Sequence, residues 1–254
     1  MMKITKIILA LGLCSLLPAA PSNKSTVQAL NIYEQRYGAM MSNVVNVNTP
    51  GFRATQLLVV EENGNLVTTR APTLFANGQL IFSGDPLHIG IDGPGFFMAR
   101  TPEGVIFMRD GRFTLSEDFT LVTLSGHYPV QGRNGNIQFS MSGGESSMQF
   151  EVTETGLIIK DNMVVDKVLV GELAPEATLS QLNGVFFEAL EGESVYTPLE
   201  TPRVRQYYYE SSNVNMSEEL VAMPDISKKY DANAKVLQIL KKIRTTGREM
   251  GSAQ

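Results

Sequence analysis

A chain of 254 residues with 43% hydrophobic content is long enough to bury one or two ordinary cores. Its formal charge of −5 and pI near 5.2 argue against a nucleic-acid binder, which would need a basic face. With Cys14 as the one cysteine no intramolecular disulfide can form, and His88 and His127 stand far from any cluster with metal-ligand spacing.

Residues 1–22 read as a targeting segment. Lys3 and Lys6 supply a positive start, Ile7 to Leu17 form an apolar run, and Ala20-Pro21-Ser22 offers small residues for cleavage before Asn23. The run is too short for a bilayer span, which takes about 20 residues. Residues 25–47 follow as an amphipathic helix, because Leu30, Tyr33, Tyr37, Met40, Val44 and Val47 step by three and four. Its end is sharply marked. Pro50 disfavours helix at Thr49, Gly51 permits a positive φ, and Phe52 can tuck back as an anchor. Asn43, Asn46 and Asn48 suit side-chain bonds to the backbone groups freed there. Residues 53–80 then read as an extended, poorly periodic connection.

The middle, residues 81–205, alternates short apolar runs with glycine turns, the pattern of antiparallel β structure. Asp92-Gly93, Asp110-Gly111 and Asn134-Gly135 are hairpin signals. Asp92-Gly93-Pro94-Gly95 should make a tight turn before Phe96 and Phe97, one of which should enter the core. Asp110-Gly111 should close a hairpin ahead of Phe113, with Arg109 and Asp110 bracing that turn. These residues specify the fold first and subunit contacts second. Beyond them, Ser217-Glu218-Glu219 suggests a second helix start, and Asn213 just before it can satisfy a free backbone donor. Leu220, Met223, Tyr230, Ala234 and Leu237 carry a seven-residue rhythm, broadened by Ile239 and Ile243. Pro224 should kink or restart this helix, and Thr245 to Gln254 should fray.

The expected fold class is therefore mixed α and β: a central antiparallel β domain flanked by N- and C-terminal coiled-coil-like helices that pair. The divisions are 1–22 (targeting), 23–80 (helix and connector), 81–205 (β domain) and 206–254 (C-terminal helix). Each helix has an apolar seam that it cannot bury alone, so the two should pair with each other or with neighbouring copies. A globular monomer whose helices pack on the β domain is the other reading that patterning allows. No convergent enzyme constellation is visible. Gly93-Pro94-Gly95 is too short for a dinucleotide loop, and the adjacent Glu61-Glu62 and Glu218-Glu219 pairs are solvated rather than poised for acid–base work.

Three separated blocks carry a family resemblance. They are Ser42 to Arg53, Gly84 to Phe97 with Met108 to Leu115 and Leu121 to Gly126, and Glu210 to Asn215 with Glu218-Glu219 and Tyr230 to Asn233. In this order they resemble the N-terminal, β-core and C-terminal signatures of the bacterial flagellar rod and hook family. The resemblance implies a structural subunit of the basal-body rod that polymerises helically through paired terminal helices, with its β domain outward. It implies no catalysis, no cofactor, no metal, no nucleic acid and no small-molecule substrate. The implied partners are further copies of the chain, other rod and hook subunits and the surrounding ring proteins, in the basal body and periplasmic space. The signature positions it marks for assembly also include Ser212, Val214, Tyr230 and Asn233. A periplasmic rod-associated scaffold or binding protein of rod-like fold, delivered by the targeting segment, is the alternative.

Overall fold

The computed structural model describes residues 23–62, 65–70, 76–140, 149–174, 177, 179–182, 184–189 and 192–251. The targeting segment expected at 1–22 lies outside them. The architecture is mostly antiparallel β structure with two helices, α1 (Asn23–Val45) and α2 (Met216–Gly251), that pack together. Asn43, near the end of α1, bonds Glu219 at the start of α2, while Tyr33 and Tyr37 lie beside Ile226 and Tyr230. The helices therefore run antiparallel.

The buried seam matches the one the spacing suggested only in part: Met40 is buried as expected, while Ile32 and Ile226 lay outside the expected rows. Ile32 and Met40 of α1 and Ile226 of α2 are buried, whereas Leu220, Tyr230 and Tyr37 remain exposed. Several apolar rows run along α2, and only the position of α1 selects the row that faces inward. α2 also runs unbroken through Pro224, with no restart there, and continues to Gly251 instead of fraying at Thr245. Pro224 is exposed, and the helix passes through it although the ring removes one N–H bond to the preceding turn and crowds the carbonyl four residues earlier.

The stretch 53–80 is not a bare connector. It holds a hairpin, β1 (Leu57–Glu62) and β2 (Asn65–Arg70), that packs on α1. The β region itself reaches past both expected bounds. β3 (Leu80–Phe82) pairs with Tyr208–Glu210, and β4 (Ile89–Ile91) pairs with Val204–Gln206, so the two ends of the region are sewn together.

The central sheet has six strands in the order Leu179–Leu182, Phe186–Ala189, β6 (Val105–Met108), β5 (Phe96–Arg100), Val170–Leu173, Tyr196–Pro198. Its middle strands are covered on both faces, which explains their continuous apolar runs. Phe97, Ala99, Ile106 and Met108 enter one cluster; Phe96, Met98, Val105 and Phe107 enter the other. Both phenylalanines of Phe96-Phe97 are thus in cores, on opposite faces, where one had been expected.

Two of the three hairpin signals act differently. Asn134-Gly135 does sit at a hairpin joining Gln131–Gly132 to Gly135–Asn136. Asp92-Gly93 and Asp110-Gly111 instead lie where the chain crosses between sheets, because β4 and β5 have different partners, as do β6 and Phe113–Leu115. Gly111 is required by close approach: a Cβ there would lie 1.7 Å from the Ile89 carbonyl oxygen. A second two-residue hairpin, Lys160 to Met163, turns on Asp161 and Asn162, both at positive φ as a type I′ turn needs.

Candidate functional site

The terminal signatures converge at one junction, where the turn after α1 meets the end of the last strand and the Arg109-Asp110 crossing. Of the three asparagines expected to bond the backbone freed at the end of α1, Asn46 does so. Asn46 Nδ2 donates to Ser42 O at 2.8 Å, and Asn46 Oδ1 accepts from Thr49 Oγ1 at 3.1 Å. Phe52 N then reaches back to Thr49 O, beside the half-buried Pro50, and the Phe52 ring is buried. Gly51 takes φ +71° and donates to Glu210 O at 2.8 Å. A Cβ on Gly51 would stand 2.3 Å from Asp110 N, so the turn is seated directly on the crossing backbone.

Asparagines tie this turn to both neighbouring segments. Asn43 is buried; its Nδ2 donates to Thr55 O and Glu219 Oε1, and its Oδ1 accepts from Thr55 N. Asn213 accepts from Ala54 N at 2.6 Å and donates to Ala76 O at 2.8 Å. It is thus a bridge between two strands of chain, not a helix cap. The cap of α2 is Asn215, whose Oδ1 accepts from Ser217 N and Glu218 N while its Nδ2 donates to Glu218 Oε1. The sequence signal for it, Asn followed three residues later by Glu, was present at Asn215 and Glu218.

Beneath the junction lies a charge cluster that local patterning does not mark. Arg53, Arg109 and Glu210 are almost fully buried. Glu210 Oε2 accepts from Arg109 Nε at 2.6 Å, its Oε1 accepts from Gly78 N at 2.6 Å, and Arg53 Nη1 lies 2.5 Å from Oε1. Arg109 also donates from Nη1 to Gly93 O and Gly95 O, and from Nη2 to Asn77 Oδ1 and Ile91 O. Its five N–H groups are all used. Arg109 therefore braces the turn at residues 92–95, whose carbonyls converge on it, and not the Asp110-Gly111 segment. Asp110 serves that segment by pairing with Arg112 at 2.8 Å. Desolvation lowers the Arg109 pKa to about 10, against the attraction of Glu210 and with the repulsion of Arg53; burial likewise lowers that of Arg53.

Other expected positions lie elsewhere. Asp92 pairs with the exposed Arg205, and Phe113 packs edge-on to Phe97 in the core. Ser212 Oγ accepts from Val214 N beside the junction. Asn48 is exposed, and Tyr230 and Asn233 are spaced along α2, where Asn233 bonds Lys229 O. His88 contacts Ser83 and the Tyr209 ring, and His127 occupies a turn. No group of three or more His, Cys, Asp or Glu with metal-holding placement occurs among the described residues. The arrangement is a mechanical joint of two helices and a β body.

Two family profiles match the chain. "Flagellar hook protein FlgE/F/G D1 domain" covers residues 90–167, and "Flagellar basal body rod FlgEFG protein C-terminal" covers residues 205–248. Among curated proteins, the chain is 30% identical to the flagellar basal-body rod protein FlgF of Rhizobium meliloti, over 78% of this chain and 84% of that one. It is 27% identical to the rod protein FlgG of Buchnera aphidicola from Acyrthosiphon pisum, over 88% and 98%. It is 24% identical to FlgF of Caulobacter vibrioides, over 77% and 83%.

Proposed function

Because this chain belongs to the flagellar basal-body rod and hook protein family and is a structural subunit of the rod, we propose that it polymerises through its two terminal helices. The observation that carries this is the apolar surface left on the outward faces of α1 and α2. Val45 is 73% exposed, Val221 79% and Ile243 64%, with Val27, Met41, Leu220 and Ile239 also exposed. Packing of α1 against α2 leaves these side chains in water, and neighbouring helices would cover them. α2 has 36 residues and α1 has 23, so α2 is about 20 Å longer at 1.5 Å per residue. Its last stretch is exposed on every side. In this reading the helices of successive copies continue one another's packing in a coiled-coil-like manner, and the β region of residues 81–205 faces outward.

The signature residues then set geometry instead of making the contacts themselves. Asn43, Gly51 and Asn213 hold the helix pair at one angle to the β region, and that angle fixes how copies stack. The partners are further copies and the adjoining rod and hook subunits, with ring proteins outside them, in the periplasmic part of the basal body. The test is Val221→Lys combined with Ile243→Lys. Both positions are exposed, so the melting temperature of the monomer should stay unchanged. Sedimentation of the purified variant should show loss of assembly, and basal bodies isolated from cells should lack it. Normal incorporation of the double variant would overturn the helix-mediated reading.

A further inference from the structure

Midway along α1, the two helices form a groove of about 220 Å³ lined by Tyr33, Glu34 and Tyr37 of α1 and by Ile226, Ser227 and Tyr230 of α2. Its lining is accessible: Tyr37 and Tyr230 are each 40% exposed, and Glu34 is exposed. Three tyrosines and a carboxylate make an electron-rich wall, and no cation pairs with Glu34 among the described residues. Lys229, beside Tyr230 in sequence, is held by Asp225 at 2.7 Å. Further along α2, Lys241, Arg244 and Arg248 are three and four residues apart and so share one face. All three are exposed, and none has a carboxylate partner among the described residues.

We propose that this groove is a docking site for a cationic side chain, and that its occupant is a guanidinium from the α2 end of a second copy. Tyrosine serves a guanidinium with either of its parts: the ring face attracts the cation, and the phenol oxygen accepts an N–H bond. Glu34 adds the opposite charge. The donor must be another molecule, because Arg244 lies 14 residues beyond Tyr230 (230 to 244) on the same helix, about 21 Å away at 1.5 Å per residue. The groove and the basic face are different patches, so the contact is heterologous. Each copy offers its basic end to the next, and a row of copies grows without closing in pairs. This contact rests on the helix-mediated assembly proposed above and is one component of it. Tyr230 then touches a neighbour directly, while Asn43, Gly51 and Asn213 set geometry.

The test reverses the charges of the two patches separately and together in the full-length protein. Glu34→Lys alters the groove, and Arg244→Glu with Arg248→Glu alters the basic face. All three positions are exposed, so the melting temperature of each monomer should match the parent. Sedimentation then gives the concentration at which assembly begins. Each one-sided variant should raise it about tenfold, as attraction becomes repulsion. The chain carrying all three substitutions should return to within about threefold of the parent, because opposite charges face each other again. Tyr37→Leu, which removes the ring and the phenol oxygen without changing charge, should raise it several-fold. A one-sided variant or Tyr37→Leu that assembles like the parent, or a triple variant no better than the one-sided ones, overturns the proposal. Loss in Glu34→Lys alone assigns the groove to a different partner's cation and overturns it as well. Either failure leaves the helix-mediated reading standing, since that reading falls only if Val221→Lys with Ile243→Lys assembles normally.

Discussion

Replacing Glu210 with Gln keeps the side chain's shape and removes the one negative charge between Arg53 and Arg109. Glu210 is fully buried and takes its contacts from Arg109 Nε and Gly78 N at 2.6 Å each, with Arg53 at 2.5 Å. Glutamine can still accept on one atom, but its amide NH₂ must then face a guanidinium or a backbone N–H, and two buried like charges remain. Breaking a buried ion pair in this way costs about 3–5 kcal/mol. At about 2–4 °C per kcal/mol for a unit of this size, the melting temperature should fall by about 6–20 °C. The matched control is Asp92→Asn, which removes the exposed pair with Arg205, where Arg205 is 54% and Asp92 35% exposed. That pair should be worth about 0–1 kcal/mol. Both variants would be melted by circular dichroism at neutral pH. A Glu210→Gln midpoint within about 2 °C of the parent, or no lower than that of Asp92→Asn, would refute the role given to the cluster.

Gly51→Ala combines a positive-φ strain with a contact against the Asp110 backbone, for an expected loss of about 2–5 kcal/mol in denaturant unfolding; a loss below about 1 kcal/mol would show that the turn relaxes freely. Asn213→Ala removes two bridging bonds and should cost about 2–3 kcal/mol, against about 1 kcal/mol for loss of the α2 cap in Asn215→Ala. The reverse order in urea titrations would restore Asn213 as the cap. Burial pushes the Tyr196 phenol far above its ordinary range, while its hydroxyl donates to Phe96 O at 3.0 Å. The unfolded chain ionises this group near its ordinary value of about 10 and the folded chain does not, so stability should fall as pH rises above that value. Ultraviolet titration should count fewer than the eight tyrosines while the chain stays folded, and a full count in the folded state would contradict this.

Local features of this chain were legible because their causes are local. The stop after α1 follows from Pro50 and Gly51 acting on their own backbone, with Asn46 bonding within four residues. The amphipathic spacing of both helices, the β character of the middle and the type of protein also lay open in residue order. Even the cap at Asn215 was written as Asn-x-x-Glu. What residue order could not decide are relations between distant segments. Which apolar row of α2 turns inward depends on where α1 lies, so Ile226 is buried and Leu220 is not. Asp92-Gly93 and Asp110-Gly111 are turn sequences either way, and only strand pairing determines that they cross between sheets. The Arg53–Glu210–Arg109 cluster joins residues up to 157 positions apart, the separation of 53 from 210, with no periodicity to announce it. Its members are ordinary surface types in a sequence, and they are buried here because folding brings opposite charges and the carbonyls of Ile91, Gly93 and Gly95 to one place.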